Sequence, residues 1–416
     1  MSEPQVGRAP RLLQVVTAAM SFTLRRGQPA YLREAGFEVM IVSSPGEELE
    51  RTAREDDVRS LGVKMEREIS LLQDMKSLWR LYGAMREFRP DLTDVGTPKG
   101  GLLGGLAALL NRVPCRIYTL YGLRCETATG LKRRVLLFTE RIACLCAHRV
   151  ICVSESLRRK AVSLGIVKLD RTVVLGCGSC NGVDAELFAR TADRYQAALE
   201  LRRHLGIPKE GPVIGFVGRL VVDKGVAELF EAYAQLRQNF PELRLLLVGD
   251  FEEGDPLPQQ LRERIKGDPH VIVTGFVKDV ARFYHVIDVL ALPTRREGFP
   301  TVILEAHAAG KPVVTFRATG AVDAVADGVD GMVVPVGDIG ALAEALSSLI
   351  GNALLAETMG RNGYDRVVRE FQPVRIWSGI AQVYLQLLKE KGISCAAVRL
   401  NAPGPPFLER LQEASR

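Results

Sequence analysis

Two successive series of short apolar runs, each run separated from the next by a helix-length segment, constrain this chain more than any other feature. In the first series the runs fall at 11–17, 37–43, 91–95, 116–120, 149–153 and 171–175. Helical spacing of apolar residues appears at 28–35, 74–88, 102–110 and 131–146, and Ser154 stands where it can cap a further helix. The second series has runs at 213–217, 244–248, 271–274, 289–292, 312–315 and 332–335, again with helical segments between them. Strands that are apolar on both faces and joined by helices form parallel, doubly wound α/β sheets. The small-residue stretch Gly176-Cys-Gly-Ser-Cys-Asn-Gly-Val-Asp184 separates the series and reads as a linker.

Length agrees, since 416 residues exceed one typical core. The reading is a first domain over 1–185, a second over 186–373, a helix at 374–393 returning to the first, and a tail at 394–416. In open α/β sheets ligands bind at the strand carboxyl ends, so the two domains are expected to face across a cleft.

A net charge of +6 over this length does not call for nucleic acid. No stretch reaches the ~20 apolar residues of a spanning helix, so a cytoplasmic location is expected. Eight cysteines are too few for a secreted disulfide scaffold of this size. Cys177-x-x-Cys180 lacks a second ligand pair, and Cys144, Cys146 and His148 do not share a helix face; buried thiols are the simpler reading. No metal site is expected.

The chemistry concentrates in the second series. Arg296-Glu297-Gly298-Phe299-Pro300-Thr301 leads from an apolar run into a helix that carries Glu305. Paired acids at a strand–turn–helix junction suit a ligand bearing both hydroxyls and phosphates. Upstream, Gly218-Arg219-Leu220 closes the first strand of the series, and Asp223-Lys224-Gly225 opens the next helix. Cations and backbone amides at such a turn can hold a diphosphate.

Gly218-Arg219-Leu220-x-x-Asp223-Lys224-Gly225 followed by Glu297-x7-Glu305 resembles glycosyltransferase family 4 over nearly the whole chain, to about residue 391. The resemblance implies a GT-B architecture of two Rossmann-like domains and retention of anomeric configuration. It implies that Arg219 and Lys224 neutralise a donor pyrophosphate, and that Glu297 faces the donor sugar beside the reacting carbon. Gly218 and the amides around Gly298, Phe299 and Thr301 would support the donor, with Pro300 in the first turn. Glu305 would take the ribose hydroxyls, and Gly275-Phe276-Val277 could border the base.

In the first domain, the segments Thr97–Gly104, Tyr118–Arg124 and Glu126–Gly130 resemble a bacterial subgroup that extends surface polysaccharides on polyprenyl-diphosphate lipids. Gly27, Lys99, Tyr121, Arg124 and Glu126 are the acceptor-side candidates, with Arg25 and Arg26 in the first loop. Lys132-Arg133-Arg134 suits an anionic leaflet, so peripheral contact with the inner membrane face is expected. Tyr121 stands where many family members have a histidine. A retaining enzyme tolerates this, because on a front-face route the departing phosphate can take the acceptor proton. No Asp-x-Asp occurs, which argues against a metal-dependent architecture; donor phosphate charge would be met by Arg219, Lys224 and a helix N-terminus, and the substrate is read as a nucleoside-diphosphate sugar, most simply a UDP-sugar, with no cofactor. The competing readings are a sugar-nucleotide epimerase, a sugar phosphorylase and a non-catalytic nucleotide-sugar binder. The acceptor-side segments weigh against the first two. Turnover that is lost on Glu297→Ala would separate an enzyme from the third.

Overall fold

The computed structural model describes residues 8–66, 70–252, 256–394 and 398–400. The chain forms two compact units, Met1–Asn181 with Pro373–Ser415, and Gly182–Gln372. The first crossing falls four residues before the 185/186 boundary read from the sequence, and the second one residue before 373/374.

The first unit is built on β1 (Arg11–Val15), β2 (Glu38–Ser43), β3 (Arg59–Gly62), β4 (Leu92–Gly96), β5 (Cys115–Leu120), β6 (Arg149–Cys152) and β7 (Thr172–Val173). These lie in the order β3-β2-β1-β4-β5-β6-β7, with every pairing parallel. Leu12, Val16, Ile41, Leu92, Ile117 and Ile151 fill one core under helix Gln28–Ala35 and the final helix, Pro373–Glu390. That last helix buries Ile376, Trp377, Ile380, Ala381, Tyr384, Leu387 and Leu388, a three–four spacing that lays one apolar stripe on the sheet. Trp377 Nε1 also donates to Asn181 Oδ1 at 2.6 Å, so the chain's return is fixed by a directional bond as well as by burial.

The second unit holds β8 (Val213–Val217), β9 (Arg244–Val248), β10 (Val271–Val273), β11 (Val289–Leu292), β12 (Val313–Phe316) and β13 (Gly331–Val334). Their order is β10-β9-β8-β11-β12-β13, again all parallel. In each sheet the winding reverses once, between β1 and β4 and between β8 and β11. A reversal sends consecutive crossovers to opposite faces and opens a crevice at the carboxyl ends of the two strands. The fold therefore offers one such crevice per unit.

Among the described elements that escape the sequence pattern are helix Glu47–Glu55, edge strand β3 and helix Ala192–His204. The two helices bury a single residue each, Leu49 and Ala198, so neither shows an apolar stripe. β3, Arg-Ser-Leu-Gly, is mostly exposed and pairs on one side only. Ser154 does cap its helix, its hydroxyl accepting from the Leu157 amide at 3.3 Å. Among the described residues no single helix is long and apolar enough to cross a membrane.

A buried acid sets a pH dependence for the first unit. Glu140, on helix Gly130–Cys146, accepts a hydrogen bond from the Tyr118 hydroxyl of β5. Burial pushes its carboxyl up to about 7, against the bond from Tyr118, which opposes the rise. A carboxyl with a raised folded-state value costs stability as pH climbs from the unfolded-chain value of about 4.3 through that higher one. Glu140→Gln keeps an acceptor for Tyr118 and removes the ionisation. We predict that its melting temperature exceeds the parent's by several degrees at pH 8 and by much less at pH 5. A variant less stable than the parent at pH 8 would refute this account.

Candidate active site

At the carboxyl edge of the second unit the loops leaving β8 and β12 are each pressed against the loop leaving β11 through a glycine. Gly225 has φ 72°, and a Cβ there would lie 1.9 Å from the Pro293 carbonyl oxygen. Gly320 has φ 78°, and its Cβ would fall 2.4 Å from the Gly298 oxygen. The Glu297 amide donates to Thr319 O at 2.9 Å, so the Glu297 loop is held from its other side too.

Within this frame Lys224 Nζ donates to Glu297 Oε1, with the two side chains only 19% and 15% exposed. Asp223 fastens the same turns: its carboxylate pairs with Arg296 at 2.6 Å, and its carbonyl accepts from the Arg295 amide at 2.9 Å and from Thr294 Oγ1 at 3.2 Å. Arg219 projects outward, 58% exposed, against Glu252. The spacing argument thus brings Arg219, Lys224, Glu297 and Glu305 to one edge, with Gly218 at the end of β8.

Beyond Glu297 the chain turns into helix Thr301–Ala308. Phe299 is buried against Phe371, ring centroids 5.6 Å apart, which anchors the turn. Pro300 occupies the cap position, one residue ahead of the first-turn place expected for it. The first amides of a helix have no intrahelical acceptor, so the Thr301 end presents donors. Glu305 lies one turn in, half-buried, and Tyr284 donates to its Oε2 at 2.6 Å. Burial raises the Glu305 carboxyl above its ordinary range, and the Tyr284 bond opposes that rise. Tyr284 is fixed edge-on against Phe188 at 5.7 Å. Phe276 follows β10 and is 76% exposed, an open aromatic face.

The first unit's crevice is lined differently. At the β1/β4 reversal, Thr97 has φ 63°, a strained value for a β-branched residue. Its Oγ1 accepts from the Thr17 amide at 2.9 Å and shares a 2.7 Å bond with Thr17 Oγ1, which accepts from the Gly100 amide at 2.8 Å. Gly27 is the left-handed residue that starts helix Gln28–Ala35, φ 76°. Arg25 is 1% exposed, forms a two-pronged pair with Asp94 at 2.9 and 3.1 Å, and donates through Nε to Tyr121 Oη at 2.7 Å. Burial holds the Tyr121 phenol above its ordinary value, so it keeps its proton and can donate it. Arg124 is exposed and Glu126 half-buried.

Lys99 departs from its expected role. Rather than pointing an open ammonium at phosphate, it pairs with Asp74 at 2.7 Å and ties helix Pro98–Leu110 to helix Leu71–Phe88. Cys177 is exposed while Cys180 is buried. Sequence reasoning missed Tyr284, Asp94 and Gly320. Tyr284 sits in a four-residue helix without a motif, Asp94 reads as an ordinary strand residue, and Gly320 matters only through a neighbour far along the chain.

Comparison with known proteins follows this division. Residues 26–178 match a "Glycosyl transferase 4-like domain" and residues 211–352 match "Glycosyl transferases group 1". The chain is 37% identical to the capsular polysaccharide biosynthesis glycosyltransferase CapM of Staphylococcus aureus, over 91% of this chain and 98% of that one. It is 28% identical to the UDP-Gal:alpha-D-GlcNAc-diphosphoundecaprenol alpha-1,3-galactosyltransferase of Escherichia coli, over 81% and 86%. Among solved structures, Anabaena Alr3699/HepE in complex with UDP-glucose superposes with TM-score 0.75 at 22% identity, over 90% and 99%. That likeness shows the fold, two α/β units of GT-B architecture.

Two substitutions test the geometry. Gly320→Ala drives a methyl into the Gly298 carbonyl and should displace Glu297, lowering kcat/KM at least about a hundredfold while circular dichroism stays native. Tyr284→Phe removes one donor from Glu305 and should raise the donor KM roughly five- to tenfold with little change in kcat. An unchanged donor KM would detach Glu305 from donor binding.

Proposed function

The chain belongs to the family of group 1 and 4-like glycosyl transferases and is a hexosyltransferase, and on that premise we propose a retaining transfer from a UDP-sugar to a lipid-linked saccharide in bacterial surface-polysaccharide synthesis. The observation that carries the reading is the Lys224–Glu297 pair at the β8/β11 crevice, beside the amide-bearing end of helix Thr301–Ala308. An arriving diphosphate competes with Glu297 for the Lys224 ammonium. With Arg219 it takes up the charge of the leaving group. Glu297, relieved of part of its pairing, turns to the hydroxyls of the hexose or N-acetylhexosamine. Glu305 keeps one oxygen on Tyr284 and offers the other to the ribose.

In the transfer step the bond from the anomeric carbon to the diphosphate oxygen breaks on the face where the acceptor oxygen attaches. The acceptor proton passes to the departing phosphate, so neither a side-chain base nor a metal ion is required. Tyr121, held by Arg25, orients the acceptor with Arg124, Glu126 and the Gly27 turn. The donor named for the Escherichia coli relative is UDP-Gal and its acceptor an undecaprenol-diphosphate sugar, which supports a UDP-sugar and a lipid-linked glycan here. On this reading the enzyme works in the cytoplasm at the inner membrane face.

Isotope transfer from a panel of UDP-sugars to polyprenyl-diphosphate sugar in detergent tests the proposal, with chelator present and the product anomer read by NMR. Glu297→Ala should cut kcat at least about a hundredfold and leave UDP affinity within about threefold. No transfer from any donor by folded protein, or an inverted product, would overturn it.

A further inference from the structure

The amino edge of the first sheet, at the other end of the strands from the crevice at Thr97 and Tyr121, carries a cavity that the proposed activity does not use. Its volume is about 390 Å³, and it lies where helices Leu71–Phe88 and Pro98–Leu110 end and β4 and β5 begin. Arg8, Arg86, Arg89 and Arg112 line it together with a single acid, Asp91. Asp91 is buried and fully engaged: Arg8 grips its two oxygens at 2.7 and 2.8 Å, and the Arg11 amide donates to Oδ2 at 2.8 Å. The other three arginines are exposed and, among the described residues, their side chains take part in no hydrogen bond or ion pair.

The backbone holds two of these cations in conformations that L-residues avoid. Arg89 has φ 50° and Arg112 φ 52°, both left-handed, where the side chain crowds its own carbonyl. Each stands just past the end of a helix, at a place that glycine or asparagine usually takes. A proline follows within two residues, Pro90 leading into β4 and Pro114 into β5. The chain thus builds the same corner twice, side by side, with an arginine at the strained position each time. Helix C-termini do attract cations, each end carrying about half a negative charge. Two ends supply about one negative charge against three unpaired guanidiniums, which leaves about two positive charges at the cavity. Planar guanidinium forks match phosphate oxygens two at a time, and the volume falls in the range of small-molecule sites.

We propose that this cavity is a binding site for a small polyphosphate anion, inorganic triphosphate or the triphosphate of a nucleotide, held by Arg86, Arg89 and Arg112. Arg8, kept in place by Asp91, forms the wall behind them. Without a ligand the three cations repel one another, so an anion among them stabilises the folded unit. The site is independent of the donor and acceptor assignments, which lie at the carboxyl edges of the two sheets.

Thermal melting and isothermal titration of the full chain test it, with UDP present throughout to occupy the donor site and ionic strength held equal with sodium chloride. Inorganic triphosphate should raise the melting temperature by at least about 2 °C and bind with one-to-one stoichiometry. Arg89→Gly/Arg112→Gly removes two cations and two strained conformations together. It should melt no lower than the parent without the anion, yet bind triphosphate at least about tenfold more weakly. Arg86→Ala leaves both strained positions alone and should weaken binding in the same direction. The difference between parent and variants reads this cavity whatever else the anion meets on the protein. ATP is the second probe: tighter binding than triphosphate assigns a nucleotide, binding no tighter assigns the phosphate chain alone, and both uphold the site. Four results would overturn it: no shift with either anion, an equal shift from added sodium chloride, undiminished binding by Arg89→Gly/Arg112→Gly, or tighter binding of a polyglutamate peptide than of either polyphosphate, which would make the cavity a protein contact.

Discussion

Asp94 ends up with both carboxylate oxygens occupied by three different parts of the chain. Arg25 comes from the loop after β1, Thr119 from β5 at 2.7 Å, and Tyr384 from the final helix. Asp94 and Arg25 are 2% and 1% exposed, so the pair is desolvated and every contact must hold. Breaking a buried pair by removing one partner typically costs about 3–5 kcal/mol. The geometry is what the fold obtains from it. Asp94 fixes where the returning helix lands and the plane of the Arg25 guanidinium, and through Arg25 the position of Tyr121. The crevice at Thr97 and Tyr121 is therefore positioned by a bond to the last helix of the chain, 290 residues away from Asp94.

The second unit uses an ion pair in the opposite way. Lys224 and Glu297 keep some solvent contact, and their partners are each other rather than a closed network. On the proposed function such a pair holds a cation for an incoming anion while keeping the site near neutrality without one. The loops that carry it are closely packed, because Gly225 and Gly320 allow backbone contacts no side chain would permit. The first unit thus closes its buried pair inside a network, and the second leaves its pair partly open to solvent.

Most of the architecture was legible because parallel strands buried on both faces leave continuous apolar runs, and their connecting helices leave a three–four period. Elements with one buried residue or one pairing edge left no such trace, as with β3 and helix Ala192–His204. The Lys224–Glu297 pair was legible because each partner lies in a short motif at a strand's carboxyl end. What could not be read was long-range closure. Lys99 after a strand has the appearance of a phosphate ligand, and only the fold shows Asp74 taking its charge. Tyr284 becomes part of the site only by reaching a carboxylate 21 residues on.

The proton question turns on the same closure. Of the five histidines one alone, His148, belongs to the first unit, and burial beside Arg116 pushes it down to about 4. It also lies just ahead of β6, at the amino edge of the sheet, away from the crevice at Thr97 and Tyr121. Tyr121 is in the crevice, but burial holds its proton and Arg25 already donates to its oxygen, so it can give a hydrogen bond and cannot take a proton near neutrality. Glu140, with a value near 7, has its carboxylate buried under Tyr118. On the proposed route the group that accepts the acceptor's proton arrives with the donor. The departing phosphate is such a group, and it lies on the face of the sugar it leaves. On the proposed retaining route a transfer that draws its base from its own leaving group keeps the new bond on that face, so it tolerates the tyrosine in place of a histidine.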